Sequence, residues 1–140
     1  MYLLDTNVVS ELRKGRTGKA DKRVTSWAES AIAADLYLSV ITVQELEIGI
    51  LLAERRDAEK GAILRGWMSN QVLPAFTGRI LPVDLAVAVR SAKLHVPSPR
   101  PVRDSLIAAT ALVHGMIVVT RNITDFEASG VPLYNPWLHQ

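Results

Sequence analysis

Short apolar runs alternate along the chain with longer stretches whose apolar residues recur at helical spacing. The first run starts at Met1 and stops at Asp5-Thr6-Asn7, the pattern of a buried strand breaking into a helix N-terminus. A short helix is expected from Thr6 to about Leu12, then a polar, Gly-containing loop over Arg13 to Lys22. Val24, Trp27, Ala28, Ala31 and Ile32 predict a helix over Asp21 to Ala34 with Asp21 as N-cap. Leu36 to Ile41 reads as the second strand, and Thr42 as the cap of a helix reaching Arg55, with Val43, Leu46, Gly49, Ile50 and Ala53 facing inward. Asp57 to about Phe76 is a further helix, closed near Pro74 and Gly78. These two helices form an apolar hairpin expected to stand off the sheet as a partner surface.

A third strand is expected over Arg79 to Val83, and Asp84 caps a helix to about His95. Pro97 to Pro101 is a stiff loop, and Arg103 to His114 is strongly helical with Gly115 just past its end. Met116 to Val119 is a fourth strand, Thr120-Arg121-Asn122 its carboxyl-end turn, and Val131 to Tyr134 a possible fifth. Strands apolar on both faces, alternating with helices, predict an α/β fold: a central, mostly parallel sheet of four to five strands flanked by helices on both sides.

Composition narrows the class. At 140 residues the chain is read as a single domain over 1–140, and 49% hydrophobic against 21% charged residues argues against disorder. With no cysteine, disulfides, thiolate metal sites and a thiol nucleophile are excluded. No signal-peptide pattern and no run near the ~18 residues of a membrane span is seen, so a cytoplasmic protein without membrane attachment is expected. A net charge of +2 is too small to demonstrate nucleic-acid binding by itself.

The candidate chemistry lies in four acidic positions. Asp5 ends the first strand; Glu45 lies one turn into the helix after the second, where Glu47 is a decoy. Asp104 opens the helix Arg103 to His114, and Asn122 and Asp125 compete for one role after the fourth strand. Each acid has an ordinary structural explanation, as an N-cap or a solvated helix position. Their joint placement changes the reading, because a parallel sheet brings its carboxyl ends to one edge. Clustered carboxylates repel unless a cation sits among them, and oxygen-only donors select Mg²⁺ or Mn²⁺.

With Ser39-Val40-Ile41-Thr42-Val43-Gln44-Glu45-Leu46, Arg103-Asp104-Ser105-Leu106-Ile107-Ala108-Ala109-Thr110-Ala111 and Thr120-Arg121-Asn122 following Met1 to Asn7 in order, the chain resembles the PIN-domain ribonucleases. Among them it is most similar to VapC-type toxins of type II toxin-antitoxin systems, especially the FitB-like branch, which the closing Tyr134-Asn135-Pro136-Trp137 also resembles. The resemblance implies a PIN-like three-layer sandwich and an endoribonuclease using one or two Mg²⁺ (or Mn²⁺) ions. It implies Asp5, Glu45 and Asp104 as catalytic, metal-binding acids. That family often carries Asp directly after Thr-Arg; here Asn122 stands there, and Asp125 is assigned the fourth charge. Thr6, Asn7, Thr120 and Asn122 are the supporting or fourth-site alternatives. A homodimer is implied, bound by a VapB- or FitA-like antitoxin through which alone DNA is contacted.

Arg100, Arg103 and Arg121 are candidate RNA contacts, and the basic segment Arg13 to Arg23 adds charge. His95, His114 and His139 show no ligand spacing. The competing function is a degenerate PIN module acting mainly in an antitoxin and DNA autoregulatory complex, which Asn122 would favour.

Overall fold

The computed structural model describes residues 1–138, except the side chain of Arg16. Its sheet has five strands in the order β3-β2-β1-β4-β5, every neighbouring pair parallel. The strands are β1 (Tyr2–Leu4), β2 (Leu36–Ser39), β3 (Ile80–Leu81), β4 (Ile117–Val119) and β5 (Leu133–Tyr134). Alternation along each strand splits the core in two. Leu4, Leu38 and Val119 join a cluster with Val8, Val24, Leu46, Ile50, Met68 and Val72. Leu3 and Val118 point the other way, onto Ile107, Ala108, Ala111 and Phe126. Helices therefore cover both faces, giving the three layers read from the apolar pattern.

The first face is built by α1 (Thr6–Arg13), α2 (Lys22–Ser30), α3 (Val40–Arg56) and α4 (Ala58–Trp67). α4 continues through a π-helical turn, Met68–Val72, into the short α5 (Leu73–Ala75). The wide turn ends two residues before Pro74, which has no N–H to give to an ordinary helical ladder. Across the sheet lie α6 (Leu85–Leu94), α7 (Val102–His114) and α8 (Ile123–Phe126). Small residues Ala108, Ala109 and Ala111 are buried and bring α7 close to the strands.

Several boundaries differ from the expectation. The second strand stops at Ser39, not Ile41, because the Ser39 hydroxyl accepts from the Ile41 amide (3.0 Å) and caps α3. Thr42 is thus inside the helix, and its Oγ1 is buried without a hydrogen-bond partner among the described residues. Thr42→Val, which swaps an unpaired hydroxyl for a methyl, is expected to raise stability by about 1 kcal/mol in urea unfolding. A loss of stability would show that the hydroxyl has a partner in solution.

α2 ends at Ser30, short of Ala34, where Ala31 turns extended and exposed Ile32 leads into the turn Ala33–Asp35. The third strand is shorter than read: Arg79 lies outside it and donates to the carbonyls of Ala33, Leu36 and Ala75, pinning this edge. Gly49 is exposed rather than inward-facing. The N-caps Asp21 and Asp84 and the left-handed Gly115 stand as read. The α3/α4 hairpin is rooted in the core through Leu46, Ile50 and Met68, while Leu51, Leu52 and Ile63 remain exposed.

Candidate active site

Because helices return antiparallel to the strands, the N-termini of α1, α3 and α7 all reach the carboxyl edge of the sheet. Asp5 follows β1, caps α1 through its Oδ1 with the Thr6 amide (2.8 Å), and is buried. Its Oδ2 accepts from the Thr120 hydroxyl (2.8 Å), just past β4, and from Asn7 Nδ2 (3.4 Å). Thr120 Oγ1 in turn accepts from the Asn122 amide (3.0 Å). The N-cap explanation of Asp5 is thus correct and incomplete, since a second oxygen is held from a neighbouring strand.

Glu45 is brought in from α3: its Oε1 accepts from the Thr6 hydroxyl (2.6 Å), and Oε2 lies 3.6 Å from Arg103 Nε. Glu47 is tied instead to Arg65 on α4 (2.6 Å) and does not line the cleft. Asp104 lies in the first turn of α7, Asp125 in α8. A cleft of about 460 Å³ runs over this edge, lined by Asp5, Thr6, Asn7, Glu45, Asp104 and Asn122, and by Ser10, Glu11, Lys14, Arg121 and Trp137. Asp125 is not on that wall. It shares with Asp104 and Arg100 a small neighbouring pocket of about 20 Å³.

The acids sense one another across these elements. Burial pushes Asp5 up from the ordinary carboxylate range; hydrogen bonds from Thr120 and Thr6 oppose the rise, and the charges of Glu45 and Asp125 add to it. Asp104 is pushed up to about 6, first by burial, then by the charges of Asp5, Asp125 and Glu45, with Arg103 opposing. Among the described residues no three acid or histidine side chains are gathered closely enough to hold an ion as they stand. By chemistry the set still fits a hard divalent cation: its acidic donors are carboxylate oxygens whose mutual repulsion a cation would relieve.

A family model described as the PIN domain matches residues 2–128. The chain belongs to the PIN-domain family. Within it, a VapC ribonuclease of Sinorhizobium fredii is 39% identical over 142 residues, covering 98% of each chain. Toxin FitB of Neisseria gonorrhoeae is 41% identical, over 98% of this chain and 99% of that one. The structure of FitAcB from Neisseria gonorrhoeae superposes with a TM-score of 0.89 at 39% identity over the full length of both chains. That of FitAB bound to a DNA fragment gives 0.87, over 98% and 96%.

In this PIN domain the cleft also contains Ser10 and Glu11, which the motifs in the sequence do not single out. They fall at helical spacing with Asn7, already a candidate, and Lys14, so the four form one cleft-facing stripe of α1. Trp137 belongs to the closing motif Tyr134 to Trp137, but nothing in its spacing places it at the cleft. Of the basic candidates, Arg103 is engaged with Glu45, and Arg100 lies beside Asp104 with its amide donating to His95 Nδ1 (3.1 Å). His95 and His114 sit at the C-terminal ends of α6 and α7, away from the cleft. His139 lies outside the described residues. In the basic loop, Lys14 pairs with Glu11 (3.3 Å) and Arg13 stacks over Trp67 (5.9 Å). None of the helices described is long and apolar enough to cross a membrane.

Proposed function

We propose that this PIN domain is a divalent-metal-dependent endoribonuclease, the toxin of a toxin-antitoxin pair, cutting RNA phosphodiesters by attack of water. The observation that carries the reading is the convergence of acids from separate elements on one edge, where burial first, and then the charges of Asp5, Asp125 and Glu45, push Asp104 up to about 6. Asp5, Glu45 and Asp104 would hold the ion, with Asp125 supplying the fourth charge. Bound there, Mg²⁺ or Mn²⁺ would lower the pKa of a water and stabilise charge on the phosphoryl oxygens.

The chain's own residues prepare that place. Thr120 and Asn7 fix one oxygen of Asp5 while Thr6 takes the other, so this carboxylate needs no reorientation. Thr6 also aims Glu45 into the cleft through its hydroxyl. The backbone N–H of Asn122 donates to Thr120 Oγ1, so the main chain at this position, not the Asn side chain, supports the Asp5 network.

Structures of FitAcB, and of FitAB bound to a DNA fragment, support a partner of the same kind, a VapB- or FitA-like antitoxin through which alone DNA is contacted; the chain itself is proposed to be a homodimer. The test is a Mg²⁺ or Mn²⁺ titration into purified, antitoxin-free protein, with cleavage of a labelled RNA pool read alongside. Wild type is expected to cut only with metal, and Asp5→Asn not at all. Cutting in EDTA, or undiminished cutting by folded Asp5→Asn, would sink the reading. In the same assay Asp125→Asn is expected to lose more rate than Asn122→Ala; the reverse ranking moves the fourth role to Asn122.

A further inference from the structure

We propose that Arg121 grips an RNA phosphate at the mouth of the carboxylate cleft, with Trp137, beyond β5, acting as the positioning residue that holds its guanidinium. This rests on the ribonuclease reading. An acid-lined cleft repels a polyanion, so a substrate backbone needs a cation whose charge is not already committed. Lys14 is paired with Glu11 (3.3 Å) and Arg103 approaches Glu45 (3.6 Å). Arg121 is the cleft cation whose guanidinium meets no carboxylate among the described residues.

Arg121 is nevertheless held in place twice over. Its backbone amide donates to Asn7 Oδ1 (3.3 Å), and its carbonyl accepts from Asn135 Nδ2 (3.4 Å). Its guanidinium lies over the Trp137 ring, 5.3 Å from the centroid. That indole is buried, and its backbone amide donates to Asn135 Oδ1 (2.9 Å). One side chain, Asn135, therefore fixes both the residue that carries the charge and the surface beneath it. A stacked guanidinium keeps its N–H edge free, the geometry that takes a phosphate by two parallel hydrogen bonds. Fewer rotamers are then lost on binding.

The measurement is fluorescence anisotropy of a labelled single-stranded RNA oligonucleotide of mixed sequence, in an Asp104→Asn background so that the RNA survives, across a salt series. Adding Arg121→Ala is expected to weaken binding about tenfold, as for a lost charge-assisted contact. The slope of log affinity against log salt should flatten by about 0.7, the release expected for one phosphate on a single strand. Trp137→Phe, which keeps an aromatic face, is expected to bind RNA like its parent. Trp137→Leu is expected to match Arg121→Ala, with no further loss when the two are combined. Unchanged affinity and slope in Arg121→Ala would overturn the proposal, as would additive losses in the double variant. Because Arg121 is exposed, its substitution tests the idea even where a Trp137 variant fails to fold. Wild type that cuts RNA while Arg121→Ala binds as its parent does removes this inference alone; wild type that neither binds nor cuts removes the ribonuclease reading as well.

Discussion

Asp104→Asn is expected to slow RNA cleavage about a thousandfold, in line with loosening the cation that would stabilise transition-state charge, and at the same time to make the metal-free protein more stable. The two effects share a cause. Asp104 is half-buried beside Asp5, Asp125 and Glu45, and its pKa is raised to about 6. The favourable placement of an acid in the first turn of α7, worth ~0.3–1 kcal/mol, is outweighed by burial and by these charges. A carboxyl whose folded pKa lies above its unfolded one binds its proton more tightly in the folded state, so its contribution to stability is complete near pH 4 and is lost as pH rises through about 6. Asn cannot lose that contribution.

The variant and wild type should therefore melt together near pH 4, part as pH rises through about 6, and keep a constant gap above that. Allowing for solvent screening of a partly exposed group, the gain is on the order of 1 kcal/mol, or about 3 °C for a domain of this size. Thermal melts in EDTA between pH 4 and 8 check it. A variant less stable than wild type at pH 7 would show that the site is not under electrostatic strain. Saturating Mg²⁺ should narrow or reverse the gap, because a cation bound to the folded state stabilises it by mass action.

Gly61→Ala is expected to destabilise the fold by about 1–3 kcal/mol, against a helix-propensity gain of up to ~1 kcal/mol. Gly61 is buried where α4 crosses α3, and an added Cβ would lie 2.5 Å from Glu54 Cα and 2.8 Å from its amide nitrogen. Those are backbone atoms, so no side-chain rotation relieves the overlap. Gly49→Ala, on α3, is the matched control: nothing lies within 4 Å of its Cβ, and it should gain stability. Urea unfolding of both variants decides; an unperturbed Gly61→Ala would mean that the hairpin separates at no cost. The Arg65 contacts with Glu47 and Glu54 join the same two helices but are partly exposed, and rank below this close approach.

The sheet and its carboxyl edge were legible because the apolar runs Tyr2-Leu3-Leu4 and Ile117-Val118-Val119 are too short and too uniformly apolar for anything but buried parallel strands. Glu45 could be preferred over Glu47 from its distance along the helix, and the Arg65 contact explains why the decoy belongs elsewhere. Boundaries failed where local chemistry was ambiguous. Val40 and Ile41 have β-branched side chains and extend the strand pattern, yet the Ser39 cap starts a helix there. Helix α8 has four residues and cannot display a 3.6-residue period. Asp125 and Asn122 could not be separated from spacing, since the chain turns between them and only their surroundings tell the pocket from the cleft.

The central strand β1 is made more than a hundred residues before β4, which lies beside it: Leu3 pairs with Val118, and Asp5 receives its hydrogen bond from Thr120. During translation the N-terminal strand must wait for more than a hundred residues before its second neighbour arrives. A nascent chain interrupted before Thr120 thus cannot assemble the hydrogen-bond network around Asp5, however well α3 and α4 have already folded. That order of synthesis delays completion of the acidic edge until both strands beside β1 and the turn after β4 have been made.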